Sequence, residues 1–149
     1  MPVLQKMNID QQIKPVDLTK SLDRLFSLAE QKVADLDRSW DATRGTPVFT
    51  VQGKYTSKGW TEWTQGFQYG SAALQFDATG DRSFLDLCRD RTLKVMAPHL
   101  THIGVHDHGF NNVSTYGNLL RLAREGRFEA SDYEVHFYEL ALKSSGAVQ

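Results

Sequence analysis

Between Asp17 and about Trp40 apolar side chains return every three or four positions, at Leu18, Leu22, Leu25, Phe26, Ala29, Val33 and Leu36. That period marks one face of an amphipathic helix, and Pro15 and Asp17 supply start signals. The stretch "DATRGTPVFTVQGKYTSKGW" then loses the helical period. Gly45, Pro47, Gly53 and Gly59 punctuate it around a short β-prone run, Val48 to Val51, so it reads as a long connection holding one short strand or hairpin. The helical period resumes from about Gly66 to Ala78 and stops at Gly80, where a left-handed residue is needed. It returns from about Arg82 to Ala97, carried by Phe84, Leu85, Leu87, Cys88, Leu93, Val95 and Met96, and Pro98 closes it. Two further helices are expected, from about Thr115 to Glu125 with Gly126 as stop, and from about Ser131 to Leu142 with Ser131 as N-cap. Five helices and little strand predict an all-α chain, and the spacing of the helix pairs suggests an αα-hairpin array.

Composition adds mainly exclusions. Of the 149 residues 40% are hydrophobic and 23% charged, with a formal net charge of −1, the balance of an ordinary globular domain. There is no basic excess to hold a phosphate backbone, so nucleic acid is not an expected partner. The single cysteine, Cys88, allows no internal disulfide and no paired-cysteine metal motif; in "SFLDLCRDR" it reads as a small apolar packing residue. The first residues show no apolar run behind a basic start, and no stretch is long and apolar enough to span a membrane. A cytoplasmic and a periplasmic location therefore both stay open.

The conspicuous chemistry is in "HLTHIGVHDHGF", residues 99 to 110, which holds four of the five histidines. As a metal site it is weak. His99 with His102, and His106 with His108, have ligand-like spacing, but no HExxH motif or second histidine cluster accompanies them, and His136 stands alone in a helical segment. His99 and His102 read better as helix-end residues facing the last carbonyls. The alternative functional group is Asp107, flanked by His106 and His108 and followed by Gly109 and the ring of Phe110, with imidazoles able to hold its charge state. Against this stands a reading of Asp107 as the cap of a helix beginning near Asn112. Upstream, Trp60 and Trp63 sit at the entry of the second helix rather than on its buried stripe. Aromatic faces there suit the C–H face of a pyranose, and Gln65 suits its hydroxyls.

Three segments together resemble glycoside hydrolase family 88, the unsaturated glucuronyl hydrolases. They are the tryptophan-threonine-x-glycine-phenylalanine stretch at Trp63 to Phe67, the threonine-glycine-aspartate turn at Thr79 to Asp81, and the histidine-aspartate-x-glycine-phenylalanine segment at His106 to Phe110. The likeness covers roughly residues 55 to 125, and family 105, the unsaturated rhamnogalacturonyl hydrolases, shares part of it. The resemblance implies an (α/α)6 toroid of six helical hairpins with a substrate pocket at one mouth. It implies a substrate as well, an oligosaccharide whose non-reducing end is the unsaturated uronic acid left by a polysaccharide lyase, and a reaction, hydration of its C4=C5 bond. Asp107 matches the family's supporting aspartate. Trp63 and His106 match the sugar subsite, with Trp60, Gln65, His108 and Phe110 as its further candidates, and no metal or organic cofactor is implied.

The family's principal acid/base aspartate falls well downstream of the histidine-aspartate motif, which places it beyond Gln149. Asp132 lies in the interval, but its surroundings, "EASDYEVHF", do not match. The chain is therefore expected to be the N-terminal portion of one toroid domain, inactive alone, with exposed inner faces that favour self-association. A related glycosidase, such as a glucuronidase, and a non-catalytic helical module that binds carbohydrate are the competing functions.

Overall fold

Small residues on one face of the second long helix let its neighbours close onto it. The computed structural model describes residues 11–59 and 62–148. A 3-10 turn (Pro15–Leu18) leads into α1 (Thr19–Ser39), followed by the hairpin β1 (Thr46–Val51) and β2 (Lys54–Lys58), then α2 (Thr64–Thr79) and α3 (Arg82–Val95). After a 3-10 turn (Ala97–His99) come α4 (His108–Asn112), a π-helical turn (Val113–Gly117), α5 (Asn118–Arg124) and α6 (Asp132–Val148). With α4, the π turn and α5 taken as one continuous run, the described residues hold five helical rods and a two-stranded sheet. The chain is thus largely α-helical, as the periodicity predicts.

Local signals account for most boundaries. Gln52 and Gly53 both have positive φ, 51° and 75°, the pair of left-handed residues a two-residue hairpin needs, and β1 and β2 run antiparallel from Thr46 opposite Lys58 to Val51 opposite Lys54. Gly80 (φ 75°) ends α2, and Asp81 caps α3 by accepting from the Ser83 amide at 2.9 Å. Ser131 caps α6 reciprocally with Glu134: the Glu134 amide donates to Ser131 Oγ, and the Ser131 amide to the Glu134 carboxylate.

Two boundaries and one buried face differ from the periodicity. The helix expected near Thr115 already begins at His108, running through Gly109 and Gly117, because buried side chains of α4 hold it from within. Helix α6 continues past Leu142 to Val148, drawn on by Ser145, which is buried and accepts from Asn112 Nδ2 at 2.8 Å; a tertiary contact here outweighs weak local propensity. On α1 the apolar stripe divides. Phe26, Ala29, Val33 and Leu36 are half-buried, whereas Leu18, Leu22, Leu25 and Leu28 are exposed.

The core gathers Tyr69, Ala72, Ala73 and Phe76 of α2, Phe84, Leu85 and Cys88 of α3, Tyr116 of the π turn, Leu119 and Leu122 of α5, and Tyr138 and Ala141 of α6. Helix α2 is its centre, touching α1, β1, α3 and the whole run from α4 to α5. Charge pairs brace the outside: Arg91 grips Asp37 with two bonds of 2.8 and 3.0 Å, tying α3 to α1, and Arg121 holds Asp77 at 2.8 Å. Cys88 is buried with its Sγ 3.8 Å from Thr92 Oγ1, and burial pushes its thiol up to about 11, which keeps it an unreactive packing residue.

The close approach depends on Gly66 and Gly70. A Cβ on Gly66 would run into the Asn111 backbone, and one on Gly70 into the Ser114 carbonyl, whereas Gly146 in α6 has open space around it. Gly70→Ala is therefore expected to lower unfolding free energy by about 1–3 kcal/mol, while Gly146→Ala raises it by up to about 1 kcal/mol. Urea titrations of both variants read the contrast; equal midpoints would refute the helix contact.

Candidate functional site

The first turns of α2 and α4 lie side by side, and the helical period gives each an inward and an outward face. On α4 and the residue before it, His108, Asn111 and Asn112 are buried, whereas Asp107 and Phe110 look outward. On α2 and the residue before it, Gly66 and Tyr69 are buried, whereas Trp63 (43% exposed) and Phe67 (45%) look outward. The two faces do different jobs.

Inward, the contacts form a polar clasp. Asn111 Oδ1 accepts from the Gly66 amide at 2.6 Å, and its Nδ2 donates to the Glu62 carbonyl at 3.1 Å and toward His99 Nδ1 at 3.3 Å. From there a row of rings runs across the interior. His99 Nε2 meets Gln65 Oε1 at 2.7 Å, His99 Nδ1 meets His108 Nδ1 at 2.7 Å, and His108 Nε2 meets His102 Nδ1 at 2.8 Å. Asn112 Nδ2 adds a bond to the His99 carbonyl at 2.9 Å.

One proton pattern satisfies this row. Because the Gly66 amide can only donate, Asn111 must turn its oxygen to Gly66 and its NH2 to His99 Nδ1, so that nitrogen is an acceptor. His99 then carries its proton on Nε2 and donates to Gln65 Oε1; the Gln65 amide in turn bonds the Tyr69 hydroxyl. His108 donates from Nδ1 to His99 and accepts on Nε2 from His102 Nδ1. In this pattern each ring contact of the row has one donor and one acceptor, and a second proton on His99 would set its Nδ1–H against the Asn111 NH2 at 3.3 Å. Burial, with the neighbouring charges of His108 and His102, pushes His99 down to about 4. Burial and His102 also lower His108, opposed by Asp107. Since His108 uses both nitrogens toward different rings, the contacts form a chain with no common point for an ion, and among the described residues no group of three His, Cys, Asp or Glu is arranged to hold a metal.

Outward, Trp63, Phe67, Asp107 and Phe110 line a depression of about 170 Å³. It continues over Phe67 and Phe110 into a groove of about 450 Å³ lined also by His106, Gly109, Val113 and Ser114. Trp63 and Phe67 meet edge to face with centroids 5.2 Å apart, and Phe67 lies 6.4 Å from Phe110. Asp107 occupies the N-cap position of α4 yet makes no side-chain cap bond, so the carboxylate is left to the depression; its neighbour is His106 Nε2 at 3.7 Å, on a ring that is 89% exposed. An acidic oxygen beside three exposed aromatic rings suits a ligand with apolar C–H faces and polar edges.

The structure therefore brings Trp63, Asp107 and Phe110 together, with His106 at the groove's edge. It turns His108 inward, a correction to its placement against the sugar: neighbours on a helix point about 100° apart, so His108 cannot share the outlook of Asp107. Gln65 likewise belongs to the clasp. His99 and His102 serve the row rather than the carbonyls at a helix end, and Trp60 lies outside the described residues. Phe67, Asn111 and the histidine row were not anticipated. Phe67 had a signal in its position, four residues after Trp63 on one helix face; the row joins residues 34 apart in sequence and had none.

Comparison of the chain with protein-family models, with curated proteins and with solved structures finds no match.

The lowered His99 makes stability depend on pH. Between pH 6.5 and about 4 the unfolded chain binds a proton that the folded row refuses, so its contribution is full above pH 6.5 and is lost as pH falls toward 4. The loss is about 3 kcal/mol for such a shift. In urea titrations from pH 7 to 4, the stability advantage of wild type over His99→Gln should shrink by that order; an advantage that stays constant would mean the row is not held neutral.

Proposed function

We propose that the Trp63–Phe67–Phe110 depression binds an unsaturated uronyl sugar and that Asp107 acts on it, within a glycoside hydrolase of the (α/α)6-toroid type that hydrates the C4=C5 bond of lyase-generated oligosaccharides. One observation carries the reading: a carboxylate that caps no helix stands among three exposed rings at adjoining helix N-termini. The resemblance of the segments around Trp63, Thr79 and Asp107 to family 88 supplies the substrate class. Helices arranged as successive hairpins, α2 with α3 and α5 with α6, fit such an array. The exposed leucines of α1 fit a face on which further helices or a second copy would pack.

The chemistry divides between two carboxyl groups. A carboxylic acid gives its proton to C4, positive charge builds at C5 and the ring oxygen, and the conjugate base takes a proton from water as its oxygen bonds to C5. The net change is hydrogen on C4 and hydroxyl on C5. Asp107 has the supporting part, a fixed negative charge beside the developing cation, while Trp63 and Phe67 cover the ring. Trp63, Phe67 and Phe110 offer no second carboxyl group to the depression. That favours a second reading, a module that binds the sugar without transforming it.

Calorimetry with an unsaturated uronyl disaccharide tests the site. Trp63→Ala is expected to weaken binding about fivefold, the loss of roughly 1 kcal/mol of aromatic contact. Bleaching of the ultraviolet absorbance of the conjugated double bond, abolished by Asp107→Asn, establishes the hydrolase, and binding with unchanged absorbance establishes the module. Equal affinity of wild type and Trp63→Ala overturns both.

A further inference from the structure

The outward pocket has two halves, Trp63 and Phe67 on α2 and Asp107 and Phe110 at the start of α4. Apart from the ring contacts themselves, what joins these halves is on the inward side. Asn111 ties α4 to the Gly66 amide and the Glu62 carbonyl, and the row from Gln65 through His99 to His108 ties the same two helix starts a second time. His102, from the preceding loop, closes the far end at 2.8 Å. His108 is the residue immediately after Asp107, so the row anchors the backbone next to the one that carries the carboxylate.

We infer that His108 is a positioning residue for Asp107, and that the row His99–His108–His102 holds the pocket at its working width, so that protonating its buried member His99 strains the clasp between α4 and α2 and weakens ligand binding. The ligand, though not the positional effect, rests on the sugar-binding reading above. The row has directional bonds, and a proton added at His99 Nδ1 sets an N–H against the Asn111 NH2 at 3.3 Å, whereas one added at His108 Nε2 is taken up only if His102 turns to its other tautomer. Burial already disfavours charge on His99 and His108. The titratable groups around the row are Glu62 and Tyr69 on the α2 side, with Arg91 and Asp37 acting on Tyr69, and His106 and Asp107 on the α4 side; α6 reaches it through the Ser145 hydroxyl and Asn112. Asp107 favours the charged form of His108, against the larger opposing effects of burial and His102.

Two-dimensional NMR of the ligand-free chain provides the first test. As pH falls from 7 through the row's titration, with the core signal of Leu119 unchanged, the Trp63 indole and Asp107 amide signals should shift together with the His108 ring signals. The shifts should persist in His106→Ala, which removes the exposed imidazole beside Asp107, and should be lost in His108→Gln. His102→Gln, at the half-buried end of the row, should change their midpoint and serves should His108→Gln not fold. Trp63 and Asp107 signals that stay still while the row titrates, or that lose their pH dependence in His106→Ala, would overturn the proposal.

Binding gives the second test. Affinity for the unsaturated disaccharide should fall about tenfold per pH unit below the row's midpoint, and saturating disaccharide should move that midpoint down in return. Affinity independent of pH would overturn the coupling to the pocket. Failure to bind at any pH, with the NMR shifts intact, would sink the sugar reading and leave His108 as the positioning residue.

Discussion

The amide of Asn111 is the point on which the rest of this structure depends. It accepts from the Gly66 amide, donates to the Glu62 carbonyl, and directs its remaining N–H at His99. The first two partners are backbone groups at the start of α2, where helix geometry leaves amides and neighbouring carbonyls without intrahelical partners. A side chain from another helix thus does what a local cap would do, and α2 has no side-chain cap of its own. Leaving such a buried group unpartnered costs about 1–3 kcal/mol for each. Gly66 makes the arrangement possible, because a side chain there would occupy the space of the Asn111 backbone.

From that clasp follows a division of labour. Inward positions of the run from α4 to α5 are held by hydrogen bonds near its start, at His108, Asn111, Asn112 and Thr115, and by apolar packing farther on, at Tyr116, Leu119 and Leu122. The π turn lies at the change from one to the other, where an extra residue per turn lets both halves present the correct face. Outward positions carry no such duty. Asp107 caps nothing, and Trp63, Phe67 and Phe110 remain roughly half-exposed although aromatic burial would be stabilising. Rings and a carboxylate are thus left out of the packing at the tips of two firmly joined helices.

How much of this was legible depends on the range of the forces involved. Helices α2 and α3 were readable because Gly80 and Asp81 act within a few residues of themselves, and the hairpin because Gln52 and Gly53 meet a local turn requirement. The α1 stripe was readable as a helix but not as a buried one: period alone cannot say whether Leu22 and Leu25 find a neighbour. The start of α4 was hidden, since Gly104 and Gly109 argue against a helix where Asn111 and His108 hold one through partners outside it, Gly66 and His99. Asp107, Trp63 and Phe110, singled out by residue type, line one depression. His108 was misplaced because adjacency in sequence was read as adjacency of outlook, and the clasp itself, spanning from Gln65 to His108, leaves no periodic trace.

A buried row of imidazoles is a costly way to join two helices if stability is the only requirement. Leucines of similar volume would pack without needing matched donors and acceptors, and polar networks are tolerable inside a protein only when every member is satisfied. Apolar packing, however, tolerates sliding and rotation, whereas each ring contact here fixes a direction as well as a distance. The row admits one register of α4 on α2, and with it one separation of Asp107 from Trp63. Burial disfavours charge on His99 and His108, so the register the row shares with the Asn111 bonds is held best while those two rings are neutral. A join specified this tightly, through directional bonds between buried rings, sets position more than it adds strength.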